Sequence, residues 1–219
     1  MLELLKNPEN MKAMLLKNRD KLNDAQYNRA MAVVNQMLNE NTNSALFSHI
    51  NNTLQAKPAD IYSGYKKFDL EKFLNSILFF STKDNELYKT KLNKYLFYFD
   101  FLTFKHTSVS ATGSRYKKYP YGPVPEDYDL LLWVAEKEGY IEILPAQKYD
   151  YTGEIIKPLV DYDEAIFTEE EFKILYKVLN MFIDKTTAAA SQISHDEEGY
   201  KQTKDRELIS YEYANIMKD

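Results

Sequence analysis

The 219-residue chain contains no cysteine, which removes disulfide scaffolds, thiolate metal sites, iron–sulfur clusters and thiol catalysis together and fits a reducing compartment. Glycine is scarce: six residues, at 64, 113, 122, 139, 153 and 199, never close enough together to write a phosphate-cradling loop or a dinucleotide fingerprint. Three histidines, at 49, 106 and 195, stand far apart and form no HExxH or His-x-His pattern, so no metal and no cofactor are expected. Ser110, Ser114 and Ser194 lack the Gly-x-Ser-x-Gly setting of a nucleophile elbow, and no enzymatic activity is expected. The longest uninterrupted apolar run, 130–135, falls far short of the ~18 residues of a membrane span. The opening Met1-Leu-Glu-Leu-Leu-Lys-Asn-Pro shows no basic segment followed by an apolar one. A cytoplasmic protein without a membrane partner is therefore expected. Lysine and arginine (28) are outnumbered by acids (33), a formal charge of −5, which speaks against nucleic-acid binding by the whole surface but not by a local patch.

What is present is a globular composition with an excess of tyrosine, 18 against one tryptophan. Tyrosine suits binding surfaces, and equally the edges of a core. The first stretch reads as short polar helices: Asn7-Pro8 as a start, Met11, Met14 and Leu15 as a small stripe, then Asp24 capping a segment with Tyr27, Met31, Val34 and Leu38 in helical steps. An asparagine-rich segment, including Asn35, Asn39, Asn41, Asn43, Asn51 and Asn52, reads as a spacer. Lys57-Pro58 marks the boundary, dividing a helical linker or appendage (1–57) from a main domain (58–219).

In the main domain Asp69 caps a helix with face Leu70, Phe73, Leu74, Ile77 and Leu78. Residues 90–105 are apolar on nearly every side, with Leu92, Leu96 and Phe99 assigned to the core, as in a central helix wrapped by others. Residues 108–121 suggest a hairpin around Gly113-Ser114, followed by a helix opening at Pro125 with Glu126 and Asp127 in its first turn and closed by Gly139. A second hairpin is expected around Thr152-Gly153. Thr168 and Glu171 form a capping box, with Phe167 and Phe172 at the positions of a hydrophobic staple. A helix from Thr187 to about Ser194 and a short helix or strand from Leu208 to Ile216 complete the chain. The fold class expected is α+β, mostly helical, with helices packed around the central apolar helix and one or two small β-hairpins.

Charge is uneven. From Lys89 to Tyr121 there are seven cations, Lys89, Lys91, Lys94, Lys105, Arg115, Lys117 and Lys118, against the single acid Asp100, interleaved with tyrosines. That pattern reads as a face for an acidic protein or a nucleic acid, or as a solvated face offset by the acids from Glu126 onward. Lys91, Lys94, Tyr98, Arg115, Lys117, Tyr119 and Tyr121 are the expected partner-facing residues, with Gly122 and Pro123 shaping the turn that presents them. His195, in Ile193-Ser-His-Asp-Glu-Glu, reads as a general base oriented by Asp196, as a pH-sensitive contact, or as a helix-terminal histidine favoured by the helix dipole.

Four segments in order, Thr90-Lys-Leu-Asn-Lys-Tyr-Leu-Phe-Tyr-Phe-Asp-Phe, Tyr121-Gly-Pro-Val-Pro, Ile193-Ser-His-Asp-Glu-Glu and Leu208-Ile-Ser-Tyr-Glu-Tyr-Ala, resemble the SocA-like Panacea antitoxin domain, also found in phage-associated proteins. The resemblance covers roughly residues 62–216. It implies an antitoxin that neutralises a cognate toxin by direct binding, on a rigid helical scaffold with a variable surface and no catalysis. One member type instead delivers its toxin to a protease, so a proteolytic adaptor is an alternative, as is a nucleic-acid-binding transcriptional regulator. In longer relatives a helix-turn-helix, sometimes with a zinc-binding segment, precedes a charged helical linker that residues 1–57 resemble. This chain has neither those cysteines nor a helix-turn-helix before Gly64, so contact with DNA is expected only through a region absent from it. A homodimer stays open.

Overall fold

The computed structural model describes residues 8–148 and 151–218. The start expected at Asn7 lies outside them. The chain divides into two compact units, Met1–Ile50 and Asn51–Asp219.

The first unit holds α1 (Pro8–Lys17), a 3₁₀ turn (Arg19–Lys21) and most of α2 (Asp24–Gln55). The cap of α2 is Asn23 rather than Asp24. The Asn23 side chain accepts from the Gln26 N–H at 2.9 Å, and the Gln26 side chain accepts from the Asn23 N–H at 3.2 Å, a reciprocal pair that satisfies two orphan donors. Asp24 instead accepts from Arg19, whose guanidinium also lies 4.4 Å from the centre of the Tyr27 ring. The asparagine-rich segment runs within one 32-residue helix. Asparagine is a weak helix former, but between Pro8 and Pro58 there is neither proline nor glycine to stop the helix.

The second unit is mostly helical with two small antiparallel hairpins, the α+β arrangement expected from the periodicity. Its elements are α3 (Leu70–Lys83), α4 (Lys89–Thr107), β1 (Tyr116–Tyr119), β2 (Gly122–Pro125), α5 (Tyr128–Lys137), β3 (Ile141–Lys148), β4 (Tyr151–Pro158), a 3₁₀ turn (Glu164–Ile166), α6 (Glu169–Phe182), α7 (Thr187–His195), α8 (Glu198–Gln202) and a closing 3₁₀ turn (Tyr211–Ile216). No described helix is long and apolar enough to cross a membrane.

Helix α4 is the hub, and every residue from Lys91 to Phe104 is buried. Its aromatic side chains meet rings from all sides: Tyr95 stacks on Phe80 at 4.5 Å, Tyr98 meets Phe182 at 4.9 Å, Phe97 meets Tyr116 at 5.4 Å, and Phe101 stacks on Tyr211 at 4.1 Å. Such offset and edge contacts add specificity to the area they bury. Asp69 caps α3 by accepting from the Lys72 N–H. At the start of α6 the Thr168–Glu171 capping box is complete and Phe167 stands 6.4 Å from Phe172. Glu171 does more than cap. Both its carboxylate oxygens accept from the Lys72 ammonium at 2.9 Å, tying α6 to α3 through a buried ion pair.

The first hairpin differs from the expectation. Tyr116 pairs with Pro125 and Tyr119 with Gly122, so the turn is Pro120-Tyr121, not Gly113-Ser114. Gly113 serves a close approach instead. At φ +75° a Cβ there would lie 2.5 Å from the Lys67 carbonyl oxygen, where only glycine fits. Pro125 ends β2 rather than opening a helix, which a proline without N–H can do at an edge. Helix α5 begins at Tyr128, so Glu126 and Asp127 precede it and are free to pair with lysines. The second hairpin pairs Ile141 with Pro158 through Lys148 with Tyr151. Thr152-Gly153 lies in β4, and the connection falls at 149–150, outside the described residues.

Candidate partner-binding cleft

The turns entering α4, the β1–β2 hairpin and the start of α5 surround a cleft of about 650 Å³. Lys89, Asn93 and Lys94 line it from α4, Lys117, Tyr119, Pro120 and Tyr121 from the hairpin, and Glu126 to Leu130 from the approach to α5. Three of these are exposed apolar or aromatic groups: Tyr119 (38%), Tyr121 (73%) and Leu130 (43%). Tyr121 projects because it sits at the second position of a two-residue turn, where no strand neighbour covers it.

The cations of the 89–121 stretch do not form an open basic face, because acids distant in sequence meet them. Lys89 pairs with Asp129 at 2.9 Å and Glu154 at 3.1 Å, Arg115 with Asp60 at 2.7 Å, and Lys117 with Glu126 at 2.8 Å. Lys118 donates to the Thr203 carbonyl at 3.0 Å, with its ammonium 4.6 Å from the centre of the Tyr200 ring.

Two expected partner-facing residues are structural in this fold. Lys91 is buried and bonds Asp84 at 2.7 Å and the Ile183 carbonyl at 3.1 Å, while the Tyr95 hydroxyl donates to the same Asp84 oxygen at 2.9 Å. Tyr98 is buried and donates to Glu197 at 2.8 Å. Both lie on the closely packed hub, where a helix apolar on all sides has no outward face. Arg115 is engaged at Pro58 and Asp60 and is not among the residues that line the cleft. The structure therefore brings Lys94, Lys117, Tyr119 and Tyr121 to one cleft and leaves Lys91, Tyr98 and Arg115 outside it.

Lys94 is the exception among these cations. It is fully buried, yet no carboxylate among the described residues pairs with it, and its ammonium, capable of three donations, makes one 3.3 Å bond to the Pro123 carbonyl. Burial pulls this amine down to about 7, since an ammonium is poorly solvated in the interior. Beside it, Asn93 has its side-chain oxygen buried with no partner.

Gly122 explains how Lys94 comes so close to the hairpin. Its φ is +108°, and a Cβ there would lie 2.6 Å from the Lys94 ammonium and 2.5 Å from the Ser194 hydroxyl. Helices α4 and α7 thus close on the turn from two sides. His195, at the end of α7, stacks on Tyr200 at 4.5 Å, and its Nε2 is buried without a partner. Burial and the Lys94 charge hold it below the ordinary histidine range, against Asp196 and a hydrogen bond to Pro120. Three of the four sequence segments singled out above therefore meet at one point: Lys94, Gly122-Pro123 and Ser194-His195. The fourth holds the hairpin from behind, through the Ile209 N–H to the Tyr116 carbonyl at 2.8 Å and the Tyr211 hydroxyl to the Ser114 carbonyl at 2.7 Å.

Sequence reasoning missed Asn93 and Asp129, and it counted Lys89, Glu126 and Asp127 in the charge pattern without placing them at the site. Asn93 had a signal, being flanked by Leu92 and Lys94 on the apolar hub, where a polar residue needs a partner. No curated protein and no solved structure matches the chain. The model of a protein family described as the antitoxin SocA-like Panacea domain matches residues 92–201, a span that runs from Asn93 and Lys94 through the hairpin to α8.

Proposed function

This chain belongs to the antitoxin SocA-like Panacea domain family, and from that premise we propose that it neutralises a cognate toxin protein by binding it directly, without catalysis. The observation that carries the reading is that the family-matched span supplies all but the first two of the cleft's lining residues, Lys89 and Thr90, together with the exposed tyrosine tip beside it. Exposed aromatic groups around a recess are the usual anchors of a protein interface, where a few such residues supply most of the affinity. The hairpin that carries Tyr119 and Tyr121 is held on both sides by α4, α7 and the 208–211 segment, so the anchors are pre-positioned and little ordering entropy is lost on binding.

The nucleic-acid alternative draws no support from this arrangement. The cations that suggested it are joined to Asp60, Asp84, Glu126, Asp129 and Glu154, so these cations are already paired and do not offer a phosphate backbone an open basic face.

The test is a growth assay in which the gene adjacent to this chain's own is induced with and without the chain, followed by co-purification. Rescue with a stable complex is the expected result. Rescue without a complex would replace direct binding by proteolytic delivery or transcriptional control, and toxicity without rescue would refute the antitoxin reading.

A further inference from the structure

Two residues that line the cleft carry buried polar groups the fold leaves short of partners: an amine with no anion, at Lys94, and an amide oxygen with no donor, at Asn93. Buried polar groups are ordinarily partnered, and those that are not call for a reason. The contrast with the neighbouring lysines sharpens the point, since Lys89, Lys91 and Lys117 each have a carboxylate within 3.1 Å. Nor is Lys94 merely stranded, because Gly122 removes the Cβ that would otherwise occupy its space.

An acceptor and a cation on consecutive residues of α4, both lining one cleft, complement a group that presents an N–H and a carboxylate a few bonds apart. An aspartate or glutamate residue within a polypeptide does so, through its own main-chain N–H and its side chain. The rim selects further. Glu126, Asp127 and Asp129 line the same cleft, but each is already paired, Glu126 with Lys57 and Lys117, Asp127 with Lys57 and Asp129 with Lys89, so a lone acid finds Lys94 as the lining cation that lacks a carboxylate. The volume, about 650 Å³, is within the range of ligand-binding recesses and ample for one side chain with its flanks.

Resting on the reading of this protein as a direct antitoxin, we propose that the cleft is the docking site of the toxin and that it receives an acidic side chain of that toxin, whose carboxylate joins Lys94 and whose main-chain N–H donates to Asn93. The toxin thereby supplies the anion the fold omits. Binding fixes Lys94 as the ammonium, so complex formation near pH 7.5 takes up protons from solution.

The experiment uses the toxin identified by the growth assay, purified and titrated calorimetrically into the chain and into Lys94→Met at pH 7.5, in phosphate and in Tris. The expected results are binding roughly 30-fold weaker or worse in the variant, as when one member of a desolvated charge pair is removed, and proton uptake seen with wild type and absent from the variant. Denaturation of both proteins confirms that the variant is folded. Equal affinity with the same proton uptake overturns the proposal and leaves direct neutralisation standing. No complex with either protein overturns both. A toxin whose binding is abolished by extending its C-terminus by two residues, while replacement of its surface acids by amides has no effect, assigns the carboxylate to the chain end and overturns the side-chain proposal.

Discussion

Replacing Lys94 by methionine should make the free protein more stable, although Lys94 is fully buried at the hub. Burial pulls its amine from 10.5 to about 7. At ~1.4 kcal/mol per pH unit, 3.5 units correspond to a cost on the order of 5 kcal/mol for keeping the ammonium inside the fold. Methionine is close in length and apolar, so it removes that cost while leaving the Pro123 carbonyl without its donor, a loss of about 1–2 kcal/mol. The net gain at pH 6 is about 3 kcal/mol, or roughly 6–12 °C in Tm for a chain of this size. The sign of the pH dependence follows from the depressed value. Between about pH 7 and 10.5 the unfolded lysine binds a proton that the folded one has shed, so wild-type stability rises with pH in that window. The advantage of the variant should therefore be full below pH 7 and fade toward pH 10. Groups facing Lys94 from packed elements add detail: His195 on α7 is held low partly by the Lys94 charge, so its own pKa should rise in the variant. Chemical denaturation at pH 6, 8 and 10 reads the stability, and histidine NMR titration reads the neighbour. A variant less stable than wild type at pH 6, or a gain that does not change with pH, would refute the reasoning.

Other perturbations probe the frame around the cleft. Asp100 is fully buried and accepts from the Thr112 N–H and hydroxyl, each at 2.6 Å, and from the Tyr116 hydroxyl at 2.7 Å; burial outweighs these bonds and pushes it up to about 6. Its contribution is full below pH 4 and lost as pH rises through 6, about 3 kcal/mol in all, and Asp100→Asn should flatten that part of a stability–pH curve. Gly122→Ala should cost about 2–4 kcal/mol, measurable by urea denaturation, because it combines a positive φ with overlap against Lys94 and Ser194. Glu171→Ala should cost about 3–5 kcal/mol by leaving Lys72 buried and unpaired, whereas Lys72→Met together with Glu171→Gln should cost much less. Tyr121→Ala should leave stability within ~0.5 kcal/mol of wild type, the side chain being mostly exposed, yet weaken toxin binding by about 1–2 kcal/mol in a pull-down or titration.

Much of the helical frame was readable from residue pattern alone, and for physical reasons. Helices α3, α4 and α6 announce themselves because burial of one face, or of all faces, imposes a period on the sequence, and because the Asp69 and Thr168 caps satisfy local N–H groups within three residues. The hairpin turn was misplaced because glycine signals both a turn and a close approach: Gly113 meets Lys67 across space, a contact that local sequence does not encode. The continuous helix α2 was missed because its first part was read as a short helix followed by a spacer, although no proline or glycine falls between Pro8 and Pro58. The basic face dissolved for a similar reason, since Asp60, Glu126 and Glu154 reach Arg115, Lys117 and Lys89 only through the fold. What the family resemblance did mark was the 90–101, 121–125 and 193–198 segments. Their convergence on Lys94 and Gly122 gives that pattern its cause, because each segment supplies one wall of the same tight junction.

The most direct test of the account is a binding isotherm between the purified toxin and this chain, measured for wild type and for Tyr121→Ala. The account predicts a saturable complex with wild type and weaker binding by the folded variant. The absence of any complex with wild-type protein, under conditions where the chain rescues growth, would contradict it.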